Sequence, residues 1–165
     1  VELKNTYFYP CMSTLILYKT KWGSTKQYAE WIAQEVLDGK AENIESYNFE
    51  DIQDYDKVVI GSRVYMSKIE AIPYLQKNWD KLSLKPVYFF MVGLVPMDKP
   101  DSIKSLELIP VEIREHITGL IKLPGRINKS RLTIFERILI KMMGIDEMDR
   151  VEIEHIAPIV EWVGI

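Results

Sequence analysis

Three hydroxyl residues and a glycine share the short stretch Thr20-Lys21-Trp22-Gly23-Ser24-Thr25, directly after an apolar run and directly before an amphipathic one. A strand-to-helix turn of that composition gathers backbone N–H groups at the positive end of a helix dipole, a setting that favours an anion. Gly23 permits close backbone approach, and the hydroxyls of Thr20, Ser24 and Thr25 can donate to phosphate oxygens. A terminal phosphate suits these residues. The alternative is that Ser24 or Thr25 only caps the helix. The turn has neither the G-x-x-x-x-G-K-[ST] run of a nucleoside triphosphate site nor the G-x-G-x-x-G of a dinucleotide site. The single cysteine, Cys11, leaves no internal disulfide to form, and His116 and His155 make no zinc-ligand cluster.

The elements that must position this turn follow from hydrophobic period. Thr14–Tyr18 reads as a strand buried on both faces, and Thr25–Leu37, with Tyr28, Ile32 and Val36 four residues apart, as the helix that follows it. Asn43–Tyr47 is expected as a weak edge strand and Tyr55–Gly61 as a buried one. Ser67–Leu82 has helical spacing at Ile69, Ile72, Leu75, Trp79 and Leu82, with Pro73 near the start. Pro86–Leu94 is the most apolar strand and belongs at the sheet's centre. A short helix over Asp101–Leu108, a fifth strand over Ile117–Leu123, and helices over Ser130–Met143 and Glu154–Val163 complete the alternation. Strands alternating with helices imply a parallel sheet with right-handed crossovers and helices on both faces. The expected strand order is 2-1-3-4-5, with any ligand at the carboxyl ends of strands one and three.

Thr20, Gly23 and Thr25 fit the [ST]-x-T-G-x-T loop of flavodoxins, and the chain resembles that superfamily over most of residues 12–163. Trp22 departs from the pattern by standing where threonine is usual; it suits covering a ligand's edge or packing on the neighbouring loop. Val58-Val59-Ile60-Gly61-Ser62-Arg63-Val64-Tyr65 and Lys141-Met142-Met143-Gly144 look most like the branch that contains the bacterial menaquinone-dependent protoporphyrinogen oxidases. The resemblance implies a flavodoxin-like α/β sandwich that holds FMN without a covalent bond. It places the phosphate on Thr20, Lys21, Trp22, Gly23, Ser24 and Thr25, and the isoalloxazine between Ser62, Arg63, Val64 and Tyr65 on one side and Gly93, Leu94, Val95 and Pro96 on the other. Tyr65 is the stacking candidate or, alternatively, a loop aromatic packed on the helix that starts near Ser67, and Arg63 suits either the flavin, an anionic substrate or solvent. No acid, base or nucleophile is assigned, because the flavin itself carries the redox chemistry.

A length of 165 residues fits one domain, expected over residues 12–165, and Val1–Cys11 reads as an appended leader or tag ahead of Met12. With 47% hydrophobic and 27% charged residues the chain is globular in composition, and its net charge of -3 speaks against nucleic acid as a partner. No apolar run approaches the roughly 20 residues that span a bilayer, and no cleavable signal is visible, so the cytoplasm is the expected location. Between Gly119 and Ile145, Lys122, Arg126, Lys129, Arg131, Arg137 and Lys141 face a single acid, Glu136. Interleaved with Leu132, Ile134, Phe135, Ile138 and Met142, they form a basic apolar segment suited to an anionic membrane surface, a porphyrin, a redox partner protein or a second copy in a homodimer, or to serve simply as a core helix. That charge separation leads us to expect partner choice in this segment and FMN affinity elsewhere. Two readings of function follow: an FMN-dependent oxidoreductase passing electrons from a porphyrinogen-like substrate to a quinone, or an electron carrier with no substrate chemistry of its own. A third, a scaffold that keeps the fold without FMN, rests on Trp22.

Overall fold

Successive side chains of a strand point to opposite faces, so an unbroken apolar run is stable only where both faces are covered. The computed structural model, which describes residues 12–95 and 99–164, has that arrangement. The leader expected at Val1–Cys11 and the assignment of Pro96 fall outside those residues. Strands β1 (Thr14–Lys19), β3 (Lys57–Tyr65) and β5 (Val87–Gly93) send Leu15, Leu17, Val58, Ile60, Phe89 and Met91 into one core. Their alternate residues Ile16, Val59, Tyr88, Phe90 and Val92 enter the other. Helices α2 (Ile72–Lys77), α3 (Trp79–Leu82) and α5 (Val111–His116) close the first core through Leu75, Leu82 and Ile113. Helices α1 (Ser24–Glu35) and α7 (Ala157–Gly164) close the second through Tyr28, Ile32, Ile159 and Val163.

The parallel strands run in the order β2-β1-β3-β5-β6, with β2 (Gly39–Asn43) and β6 (Gly119–Pro124) at the edges. A two-residue strand, β4 (Lys68–Ile69), pairs antiparallel with the end of β3. With that hairpin set aside, the order is the expected 2-1-3-4-5. Register brings Lys19, Ser62, Met91 and Lys122 level across the sheet, and the loops of interest leave its carboxyl edge just beyond them. Phe90 fits beside its register partner Gly61 because glycine has no side chain: a Cβ there would lie 2.1 Å from Phe90 Cζ.

Several elements differ from the sequence expectations, each for a local reason. The second strand begins four residues earlier than expected, at Gly39, because its residues are polar and an edge strand needs only one buried face. The expected helix over Ser67–Leu82 is instead a hairpin and two short helices. Met66 and Ser67 both have positive φ, 46° and 57°, which turns the chain back onto β3 as in a type I′ hairpin. Asn78 then separates α2 from α3, its Nδ2 donating to the Tyr74 carbonyl at 2.9 Å in competition with helix continuation. A helix α4 spans Pro100–Leu106, close to expectation, whereas α5 was not anticipated.

After β6 the chain makes an excursion. Strands β7 (Arg126–Ile127) and β8 (Met148–Asp149) pair antiparallel at its base, with Arg126 Nε donating to Asp149 Oδ2 at 2.8 Å. Between them lie a 3-10 turn, Lys129–Arg131, and α6 (Ile134–Met142) in place of one helix from Ser130. Thr133 sets the start of α6 through a capping box with Glu136. The last helix likewise starts late, after a 3-10 turn over Ile153–Ile156. Among the described residues no helix is long and apolar enough to cross a membrane.

Candidate functional site

The turn after β1 has the shape its residues suggested. Gly23 is the N-cap of α1 with φ of 94°, a left-handed conformation that glycine adopts without strain, and no side chain caps the helix there. Ser24 and Thr25 therefore do not serve as the cap; both are buried in the first turn. The Gly23 N–H donates to Thr20 Oγ1 at 3.1 Å, which folds the loop back on itself. The first N–H groups of the helix have no intrahelical acceptor and present partial positive charge at the carboxyl end of β1.

The end of β3 meets this loop. Arg63 runs into the corner between two rings lying at 84° to each other, Trp22 and Tyr65, whose centroids are 6.0 Å apart. Its Cζ lies 4.1 Å from the centre of the Trp22 ring and 4.0 Å from that of Tyr65. Arg63 is only 6% exposed, and none of its three side-chain nitrogens has a hydrogen-bond partner among the described residues. Among the described residues its one ion-pair contact is with Glu70 Oε1, 3.9 Å away. Burial pulls the Arg63 pKa below the ordinary arginine value, opposed by Glu70, Tyr65 and Glu136. Trp22 Nε1 is likewise buried and unpartnered. Ser62 is committed to structure: its Oγ accepts from Ala71 N at 2.9 Å and donates to the Arg63 carbonyl at 3.1 Å. Val64 and Tyr65 pair with Ile69 and Lys68, so the hairpin sets the position of the Tyr65 ring.

The basic excursion docks on the same loop. Arg131 Nη1 donates to the Trp22 carbonyl at 3.2 Å and lies 3.7 Å from where a Cβ on Gly23 would be. Lys21 Nζ forms a 2.5 Å ion pair with Glu136 Oε1, and Glu136 Oε2 accepts from Thr133 N at 2.9 Å and Thr133 Oγ1 at 3.1 Å. Burial alone would raise the Glu136 pKa; the hydrogen bonds from Lys21 and Thr133 outweigh it and hold the carboxyl below its usual value. Trp22 and Leu94 pack against a small apolar cluster of Ile127, Leu132 and Ile140, so Trp22 does pack on a neighbouring segment while one ring face meets Arg63. Charge pattern alone separated this segment from the phosphate loop; the fold joins them. Arg131 and Glu136 are the site residues that residue-by-residue reading missed, and the Thr133-x-x-Glu136 spacing was the available signal for the second.

Gly93, Leu94 and Val95 lie next to this arrangement, a Cβ on Gly93 coming 3.9 Å from Val64 Cβ, but face a separate space. With Lys122, Arg150 and His155 they line a cleft of about 510 Å³ at the ends of β5 and β6, whose walls include neither the 20–25 loop nor residues 62–65. Lys122 Nζ donates to Ser102 Oγ at 2.5 Å, and burial lowers its pKa against the opposing influence of Asp101. The structure thus brings Thr20–Thr25 together with Arg63 and Tyr65, and sets Gly93–Val95 beside them as a border with its own cleft.

Comparison with known proteins agrees with this fold. The curated protoporphyrinogen IX dehydrogenase [quinone] of Escherichia coli strain K12 is 29% identical over 92 residues, which are 51% of this chain and 50% of that protein. The chain thus spans about half the length of the curated relatives it matches. Among solved structures, a flavodoxin from the domain Archaea superposes with a TM-score of 0.52 at 16% identity, covering 81% of this chain and 97% of that one. The Trp repressor binding protein of Bacillus subtilis gives 0.52 at 17% identity, covering 83% and 100%. These two likenesses show the fold. A family model described as flavodoxin domain matches residues 15–151, a span running from β1 through the phosphate-type loop and past the end of the docked excursion, and the chain belongs to that family.

Proposed function

We propose that this chain binds FMN without a covalent bond and serves as an oxidoreductase that passes electrons from a reduced, anionic, porphyrinogen-like substrate to a quinone. The observation that carries the reading is a set of buried donors left without acceptors, on Arg63 and Trp22 Nε1, beside a left-handed glycine at a helix N-terminus. Unpartnered buried donors are costly, and a planar, acceptor-rich phosphomonoester would satisfy them. Thr20–Thr25 would hold the phosphate, and Arg63, Tyr65 and Gly93–Val95 would border the ring. When bound, FMN supplies one- and two-electron transfer. The chain's own residues bind, orient and exclude water; Ser62 contributes backbone only, since its hydroxyl is already engaged.

The cleft at β5 and β6 is the place for the anionic substrate, with Lys122, Arg150 and His155 on its wall beside one acid, Glu152. The outer face of α6 suits a quinone-bearing anionic bilayer: Ile134, Phe135, Ile138 and Met142 are exposed, with Arg137 and Lys141 beside them. The name of the Escherichia coli relative supports the substrate and acceptor. The test is a visible spectrum and FMN titration of the purified chain, followed by anaerobic turnover of protoporphyrinogen with menaquinone in anionic vesicles. FMN binding with turnover supports the proposal. FMN binding without turnover, but with reduction by a partner reductase, would replace the enzyme with the electron carrier; absence of FMN binding would leave the bare scaffold.

A further inference from the structure

An arginine has five N–H donors and no acceptor, and it stays charged at neutral pH. In this chain the Arg63 guanidinium is removed from water, yet among the described residues those donors find no hydrogen-bond acceptor. Glu70 is at the limit of ion-pair distance, and the Trp22 and Tyr65 rings contribute cation–π attraction through their faces while accepting no conventional hydrogen bond. A buried cation in that state is stable only because the surroundings hold it, and it is placed to receive an acceptor that the described residues do not supply. Arg131 and the N-terminus of α1 already serve the Gly23 side of the loop, where a phosphate belongs. Arg63 stands on the strand next to β1 in the sheet, against the rings, where the flat part of the ligand belongs.

Resting on the FMN reading above, we infer that Arg63 donates to the pyrimidine edge of the bound flavin, the N1–C2=O2 side, and makes this site a better electron acceptor than the fold would otherwise be. Negative charge collects at that edge when the ring takes up an electron pair. A fixed cation beside it favours the charged form, as any desolvated charge pair does. The phosphate does not change charge in this process, so a cation on the phosphate alone would raise affinity and leave the potential where it was.

Sulfite reads this directly. It donates an electron pair to N5 and forms one N–S bond, while the displaced pair is taken up at N1–C2=O2; no external oxidant or reductant enters. The experiment compares wild type, R63K and R63Q, each loaded with FMN, by spectrophotometric sulfite titration and by equilibration with dyes of known potential. The expected result is at least a tenfold loss of sulfite affinity in R63Q, partial rescue in R63K, and a lower two-electron potential in R63Q; a tenfold change corresponds to about 30 mV for such a couple. Riboflavin and FMN affinities should fall by the same factor. Unchanged sulfite affinity and potential in an FMN-loaded R63Q would overturn the inference and leave FMN binding intact. So would tighter FMN binding in R63Q, which would mark Arg63 as a plug in the ring's place, or a loss confined to FMN over riboflavin, which would assign it to the phosphate. Wild type failing to bind FMN would overturn this inference together with the reading beneath it.

Discussion

Replacing Glu136 by glutamine keeps the shape of a buried side chain and removes its charge. The carboxylate is 5% exposed and accepts three hydrogen bonds, one from Lys21 and two from Thr133; its partner Lys21 is 49% exposed. Glutamine can still accept from Thr133, so the capping contribution largely survives, and the loss is the charge on the Lys21 bond. A hydrogen bond to a charged group is worth roughly 1.5–3 kcal/mol. Because Lys21 is half in water, that figure is discounted for solvent screening to about 1–2 kcal/mol. For a domain of this size the melting temperature should fall by roughly 3–6 °C at pH 7. The sign with pH follows from the depressed carboxyl: a group whose folded pKa lies below its unfolded value of about 4.3 stabilises fully above that value and stops doing so as pH falls through the folded pKa. The wild-type advantage over E136Q should therefore be constant near neutrality and shrink below about pH 4. Circular dichroism melts across that range measure it. Equal melting temperatures at pH 7, or a difference that persists undiminished in acid, would refute the argument.

Gly23→Val should lower FMN affinity at least tenfold in calorimetry, and lower stability by roughly 1–3 kcal/mol, because a β-branched residue is strained at the observed φ even though Arg131 Nη1 stands off at 3.7 Å from the new Cβ. Arg131→Gln should weaken FMN several-fold and leave riboflavin unchanged, with a difference that fades as salt rises, because its guanidinium sits beside the phosphate-type loop. Gly61→Ala should fail to give soluble folded protein, or melt many degrees lower, since the new methyl would overlap Phe90 at the centre of the sheet.

The central strands and α1 were legible because burial on two faces, or on one helical stripe, writes itself into hydrophobic period. The second strand was misplaced because an edge strand of Gly39-Lys40-Ala41-Glu42-Asn43 carries almost no apolar signal, whereas the Ile44 and Tyr47 that follow it do. Period alone also could not show the hairpin at Met66 and Ser67, where two ordinary residues take left-handed backbone. The turn around Gly23 was readable from glycine and hydroxyl content. The docking of residues 127–145 on that turn was not, since it joins groups more than a hundred positions apart through Lys21–Glu136 and Arg131–Trp22. Trp22 makes the same point: a departure from the family loop became interpretable once Arg63 and the Ile127 cluster were seen on either side of it.

The narrow base of the excursion has a consequence for descent. Its two ends are held side by side by the β7–β8 pairing and Arg126–Asp149, so its length and surface are free to drift without disturbing the order of the parallel strands. Its inner contacts are not free, because Glu136 and Arg131 bind it to the loop beside α1. Selection on whatever the outer face of α6 touches therefore acts on the same segment as selection on the loop, and the two traits should be inherited as a unit. An exchange of the whole piece between related chains, cut at β7 and β8, would be expected to carry both at once.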